Sequence, residues 1–364
     1  MGDDECIMTT SRLIEKRSVL AFQFGAMGVV VPAMLMTALS LNIIALTMPF
    51  MMVEVFGKPH EQYSIPTTVS LMWSLKFYWI AILVAVFSIA FPFVKIFSLF
   101  ILWYVPLTSR IRYRGLRLLS QLGRWSLLDV FVALVLIVLS HHQKLFVTDT
   151  MIGLPLFLAA ICLSILTSEL MGMLQIRFEG EPPIINPEPV RLATGSGWRQ
   201  FAVPVLLLGA LASIVAAIGI PYIKITAWYL SKNEYSILET ALAFESDGKY
   251  LFASIVVLFL VILPVARLGA IGYLWYGRLR PVHFRLAEER TRAISSWAMI
   301  DVFGLALVLF LTQGKSVIPI ERAMGFWAVF VAIGLNFVLG LIAFRMVKWR
   351  LAYIAGNLKG SKAL

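Results

Sequence analysis

The sequence is short of the residues that most soluble chemistry needs. It holds two cysteines in 364 residues, Cys6 in a polar leading segment and Cys162 inside an apolar run. That excludes a disulfide framework and leaves no CxxC pair for zinc or thiol exchange. Charge is scarce as well: 14% of residues are charged against about a quarter in an ordinary globular domain. No Walker sequence, HExxH or haem-attachment motif occurs, and no serine, histidine and carboxylate fall at a spacing that argues for a hydrolase. Neither a cofactor, a metal nor an enzymatic reaction is expected. What is abundant is apolar surface. With 60% hydrophobic residues and a mean hydropathy of +0.87, the composition is that of an all-α polytopic membrane protein.

Eight stretches are apolar over the roughly 20 residues that a helix needs to cross a bilayer. They lie near 25–50, 76–105, 124–142, 151–174, 200–222, 250–276, 293–313 and 323–345. The net charge of +11 is distributed by side. Twenty-one of the 31 basic residues fall in the terminal segments and in 105–124, 174–199 and 277–292, whereas the opposite loops hold eight. Positive charge collects on the cytoplasmic side, so both termini are expected there. The basic excess reports topology and anionic lipid, and calls for no nucleic acid.

A constant offset of 172 residues aligns the two halves without a gap. Pro32 matches Pro204, Pro49 matches Pro221, and Tyr63-Ser64-Ile65 recurs as Tyr235-Ser236-Ile237. Pro92 matches Pro264, Lys95 matches Arg267, and Trp103-Tyr104 recurs as Trp275-Tyr276. Trp125 and Asp129-Val130-Phe131 recur as Trp297 and Asp301-Val302-Phe303, and Gly153 as Gly325. The chain therefore reads as two tandem four-helix modules, 21–178 and 199–350. A Pro-rich cytoplasmic linker, 179–198, joins them, and tails 1–20 and 351–364 flank them. An even number of spans per module makes the repeats parallel. In each module the first helix ends at Pro49 or Pro221, and the loop that follows is long enough for a short β-hairpin from Val53, Val55, Phe56, Tyr63 and Ile65. That loop is either a surface cap or a face for substrate or partner.

The second helix carries Pro92 or Pro264, whose missing N–H is expected to kink the helix or loosen a turn. Three residues later comes a cation, Lys95 or Arg267. A charge at the centre of a span costs ~2.5–3.5 kcal/mol on insertion scales, so each should have a partner. The depths match Asp129 and Asp301, giving the expected pairs Lys95–Asp129 and Arg267–Asp301. They serve either as locks within each module or as a proton or headgroup site. At the outer end of the third and seventh helices the repeats diverge, Ser140-His141-His142-Gln143-Lys144 standing against Thr312-Gln313-Gly314-Lys315. Adjacent histidines point about 100° apart on a helix and have no further ligand nearby, so a polar, water-facing mouth is expected there. Ser164 and Asn336 occupy equivalent mid-membrane positions, where such groups most often bond a neighbouring helix. Glu169 has Leu341 as its mate, and an unduplicated acid is the better functional candidate.

The string Phe87-Ser88-Ile89-Ala90-Phe91-Pro92-Phe93-Val94-Lys95, followed by Gly123-Arg124-Trp125-Ser126-Leu127-Leu128-Asp129-Val130-Phe131, resembles the paraquat-inducible protein A family, also called PqiA or LetA. Leu263-Pro264-Val265-Ala266-Arg267 with Trp297-Ala298-Met299-Ile300-Asp301-Val302-Phe303 is similar to the second half of that family's tandem arrangement. The resemblance implies tetraspanin-like modules in a bacterial inner-membrane subunit. Its implied partner is an MCE-domain protein, a homohexameric tunnel carrying lipid across the periplasm. The subunit would load or receive phospholipid at the tunnel's base, with headgroups near Ser140, His141, Lys144, Thr312 and Lys315. Two departures stand out. The family's cytoplasmic zinc ribbons cannot be built from Cys6 and Cys162, and His141 stands where members often carry lysine. An autonomous proton-coupled transporter using Glu169, Asp129 and Asp301, and a scaffold that only anchors a partner, are the alternatives.

Overall fold

The computed structural model describes residues 25–55, 61–140, 146–179, 191–194, 199–227, 231–313 and 320–360. Among these, eight helical runs are long and apolar enough to cross a membrane: Met27–Thr47, Ala81–Tyr104, Ser109–Val135, Gly153–Gln175, Phe201–Gly219, Tyr250–Tyr276, Leu286–Thr312 and Met324–Val347. The protein is an all-α polytopic membrane protein, as its composition requires.

In the first repeat the order is α1 (Met27–Thr47), β1 (Met51–Val55), β2 (Glu61–Tyr63), α2 (Ile65–Ser74), α3 (Tyr78–Val84), α4 (Phe91–Tyr104), α5 (Ser109–Gly123), α6 (Leu128–Ser140), β3 (Phe146–Thr150) and α7 (Gly153–Glu179). The second repeats it as α8 (Arg199–Gly219), β4 (Ile223–Ala227), β5 (Ser231–Tyr235), α9 (Ile237–Ser246), α10 (Tyr250–Val257), α11 (Leu263–Tyr276), α12 (Pro281–Trp297), α13 (Ile300–Gln313), β6 (Ile320–Arg322) and α14 (Met324–Gly360). The strand orders are β2-β1-β3 and β5-β4-β6. The expected hairpin is present through Val53, Val55 and Tyr63, while Ile65 opens α2 instead and Phe56 lies outside the described residues. A third strand from the loop before the fourth helix joins it. In the second sheet β4 pairs antiparallel with β5, Ile223 opposite Tyr235, and with β6, Ile223 opposite Arg322.

The recurring sequence tokens each have a structural task. The Tyr-Ser-Ile step ends the hairpin and starts a helix. The Phe50 amide donates to the Tyr63 carbonyl at 2.7 Å, as the Tyr222 amide does to that of Tyr235 at 2.8 Å. Ser64 and Ser236 then cap α2 and α9 in reciprocal boxes with Thr67 and Glu239, and Ile65 and Ile237 bury their side chains. Pro49 and Gly153 belong together: the Gly153 amide donates to the Pro49 carbonyl at 3.0 Å, and Gly325 to Pro221 at 2.9 Å. A Cβ on Gly153 would lie 2.6 Å from the Pro49 oxygen, and one on Gly325 would overlap the Ile220 carbonyl, so both positions admit only glycine. Before Pro92 and Pro264 the helix widens to a π-type stretch, Ala85–Ala90 and Leu258–Ile262, which is where the absent proline donor leaves a carbonyl to be bridged differently.

The chain divides into two compact units whose borders differ from those of the repeats. One comprises the described residues of Met1–Met52, Gln62–Leu127 and Thr150–Gly180, the other those of Val53–Glu61, Leu128–Asp149 and Glu181–Leu364. In the first, α1 packs along α7 around Val31, Leu35, Ile96, Leu99, Trp103, Leu116 and Met171. In the second, α8 packs along α14, and α6 along α13, with Phe131 edge-on to Phe303 at 6.1 Å and 74°. Tyr222 meets the other side of this core, 5.4 Å from the Phe303 ring, and shares a 2.7 Å hydrogen bond with Thr240. Burial pushes the Tyr222 phenol far above its usual range, and burial followed by the Glu239 charge pushes Tyr235 up to about 12.

Segment 105–124, expected as a cytoplasmic loop for its arginines, is largely helix. α5 returns antiparallel along α4, with Gly115 facing Leu102 and Gly123 facing Lys95. The reason is amphipathicity on three faces. Arg112, Leu116 and Gly123 turn inward, Ile111, Leu118 and Leu122 are exposed, and Arg110, Arg114 and Arg117 form a cationic edge. Buried Arg112 donates to the carbonyls of Leu102 at 3.2 Å and Leu107 at 3.4 Å, closing the orphan end of α4.

Candidate functional site: the buried cation of each repeat

Lys95 sits one turn into α4, after the π-type stretch, and is 1% exposed. Its ammonium donates to the Ser164 hydroxyl at 3.0 Å, and Ser164 in turn donates to the Ile161 carbonyl at 2.8 Å. Glu169, just over one turn further along α7, is the acid whose charge acts on Lys95. Ser120 of α5 donates to Glu169 Oε1 at 2.5 Å, tying α5 to α7. The fourth wall is Gly123, where a Cβ would overlap the Lys95 ammonium. Two hydroxyls nearby in sequence, Ser88 in the π-type stretch and Ser126 in the 3₁₀ turn before α6, are buried and have no hydrogen-bond partner among the described residues. Those two short segments pack on each other.

The second repeat uses the same pair of positions. Arg267 donates through Nη2 to the Asn336 carbonyl at 3.3 Å, and the Asn336 amide holds the Ala332 carbonyl at 2.8 Å. Lys95 to Ser164 and Arg267 to Asn336 are each 69 residues apart, so the cation of the second helix meets the polar position of the fourth in both repeats. The longer guanidinium needs its room elsewhere: a Cβ on Gly340 would lie 2.9 Å from Arg267 Nη2. In the first repeat the position equivalent to Gly340 is Ser168, and in the second the position equivalent to Gly123 is Ser295. The glycine thus follows the cation's head from one wall to the other.

Sequence reasoning named Ser164 and Asn336 as interhelical groups and Lys95 and Arg267 as needing partners, without joining them. The signal was available, since both pairs share one offset. Asp301 lies half-buried in the first turn of α13. Asp129 occupies the same place in α6, and its side chain and that of Ser140 lie outside the described residues, as do His141, His142, Lys144 and Lys315 in full. Thr312 is exposed near the end of α13, its hydroxyl returned to the Val308 carbonyl at 2.9 Å. Ser120, Gly123 and Gly340 were missed, because a serine or glycine in a span carries no signal until its neighbour is known. Among the described residues no three histidine, cysteine or carboxylate side chains gather as a metal site.

Comparison with known families matches the description "Paraquat-inducible protein A" twice, over residues 30–175 and 202–352. The chain belongs to the paraquat-inducible protein A family. The two matched regions begin 172 residues apart, the same offset that aligns the repeats, so the family's unit is the four-helix module. Neither the curated proteins nor the solved structures contain a match. Membership with eight apolar helices makes this an integral membrane component of a Pqi-type system.

Proposed function

We propose that this family member is the inner-membrane subunit of an intermembrane lipid transport system, with both termini cytoplasmic, passing phospholipid to or from a tunnel built by an MCE-domain protein. The observation that carries the reading is the double family match laid over a duplicated cation site. The uneven division of basic residues between the two sides of the membrane supports the orientation. In this reading the tetraspanin-like modules hold a fixed frame, the polar mouth at Ser140, His141, Lys144, Thr312 and Lys315 receives the headgroup, and no covalent chemistry takes place.

The test is purification of the tagged full chain from crosslinked native membranes, with co-purifying proteins identified by mass spectrometry. Recovery of an MCE-domain protein at high occupancy is expected; its absence alongside intact, well-expressed chain would overturn the reading. A second reading, a proton-coupled transporter, is favoured by one feature: Glu169 joined to Ser120 beside Lys95, without a counterpart in the second repeat. Proton uptake into liposomes that depends on a small-molecule substrate would select it.

A further inference from the structure

The turn between α2 and α3 has the same backbone as the turn between α9 and α10 and the opposite chemistry. The Phe77 amide donates to the Met72 carbonyl at 2.9 Å and the Lys76 amide to that of Trp73 at 3.1 Å. In the second repeat Lys249 donates to Phe244 at 2.8 Å and Gly248 to Glu245 at 3.0 Å. This is the Schellman ending of a helix, in which the residue after the C-cap takes a left-handed conformation and is usually glycine. Gly248 obeys, with φ +72°; its equivalent is Lys76, with φ +64°, the one non-glycine residue of positive φ among the described residues. A lysine held where glycine is the unstrained choice points to a task for its side chain.

The surroundings say what that task is. Trp73, Leu75, Phe77, Tyr78 and Trp79 are all exposed, Trp79 at 86%, and Trp73 stands edge-on to Tyr78 at 5.0 Å. The equivalent positions of the second repeat are Glu245, Asp247, Lys249, Tyr250 and Leu251. There Lys249 is taken by Asp149 at 2.6 Å, whereas Lys76 has no ion-pair partner among the described residues. Lys76 lies five residues before the span Ala81–Tyr104, at the end opposite Trp103-Tyr104 and the arginine-bearing α5. Tryptophan and tyrosine sit at headgroup level at membrane interfaces, which sets the ammonium among lipid phosphates.

We propose that Lys76, flanked by Trp73 and Trp79, is a glycerophospholipid site on the leaflet opposite the arginine-rich face. The ammonium takes the headgroup phosphate and the rings pack on the glycerol and upper acyl region. The acidic turn of the second repeat repels the same headgroup, so of the two equivalent turns only the first takes it. The site needs a leaflet and no partner protein, so its failure leaves the proposed function standing, and the converse.

Native mass spectrometry of the detergent-purified full chain titrated with phosphatidylglycerol tests this. Lys76→Gly keeps the turn, so its thermal midpoint equals or exceeds that of the parent, while affinity for its tightest phosphatidylglycerol falls by ~5-fold, the factor one basic residue contributes at an anionic surface. Lys76→Asn, also tolerated in this conformation, loses the same, Lys76→Arg retains binding, and Trp79→Ala weakens it. Excess inorganic phosphate leaves the bound lipid in place. Unchanged lipid binding in Lys76→Gly and Lys76→Asn would overturn the proposal, as would displacement by inorganic phosphate, which would make free phosphate the ligand.

Discussion

The first repeat carries buried polar groups that the second lacks: Ser88 and Ser126 are buried, Glu169 is bridged by Ser120, and Asn42 is buried in α1. At the same positions the second repeat has Leu260, Ala298, Leu341, Arg292 and Ile214. Its Arg292 does not reach across to the fourth helix's acid, because there is none. It binds Glu288 on its own helix and lies over the Phe344 ring of α14 at 4.3 Å. Both repeats nevertheless keep the glycine-to-carbonyl closure, the capped hairpin exit, the π-type stretch and the cation of the second helix bonded to the fourth. Duplication preserved what holds a module together and released what fills it. The unpaired hydroxyls are informative here, because a buried hydroxyl without a partner costs about 1–3 kcal/mol and the second repeat shows that apolar residues fit.

The shared frame is the place for the largest effect. Gly325→Ala drives a methyl into backbone carbonyls that cannot move aside, and about 3 kcal/mol or more of destabilisation is expected, seen as loss of monodisperse protein. Gly153→Ala should follow closely, since its clash is also with backbone. Equal tolerance of both would break the claim that the closure is common to the repeats.

Next comes the cation's wall. Gly123→Ala is expected to cost about 1–3 kcal/mol by thermal melting, and the cost should shrink in a Lys95→Ala background, because the clash is with a side chain. Gly340→Ala should show the same relief with Arg267→Ala. Serine positions 168 and 295, where the other repeat has glycine, should accept alanine at about 1 kcal/mol, the net worth of their hydroxyl bonds to the Ile165 and Thr291 carbonyls. A Gly123 penalty independent of Lys95 would dissolve the parallel.

How far was this legible from sequence? The repeat, the eight spans and the hairpins followed from rare tokens at one offset and from apolar length, both of which survive divergence. The third strand did not, because Ile320–Arg322 is three residues long and Phe146–Thr150 has Thr148, Asp149 and Thr150 in place of an apolar alternation. α5 was hidden by its arginines: counting them as loop charge ignored that Arg112 faces inward to the end of α4. The Lys95–Ser164 contact lay within reach, since the cations and the polar positions of the fourth helices share one offset. Charge complementarity pointed first to the acids, and the Asp129 side chain lies outside the described residues. A hydroxyl and a carbonyl are quieter partners than a carboxylate and leave no mark beyond position.

Smaller effects sharpen the contrast at the membrane surface. Tyr222→Phe removes the hydrogen bond to Thr240 and should cost about 1 kcal/mol. The alkaline limb of stability also has a sign. Tyr222 and Tyr235 have raised phenol pKa values in the folded state, so their contribution is complete below pH ~10 and is lost as pH rises through about 12 for Tyr235. Tyr235→Phe should therefore flatten the fall in thermal midpoint above pH ~10. In the first repeat, Tyr63 holds the position equivalent to Tyr235 and serves as the comparison.

The most direct test asks whether the polar interior of the first repeat does the work while the shared frame holds the fold. One chain carrying Ser88→Ala, Ser126→Ala and Glu169→Gln removes that interior and leaves Lys95, Ser164 and both glycine closures in place. Its thermal midpoint should be measured beside its ability to restore the proposed envelope-lipid function in cells lacking the protein. The expected result is a folded, monodisperse chain that fails to restore function. Full restoration by that chain would contradict the division of labour between the repeats.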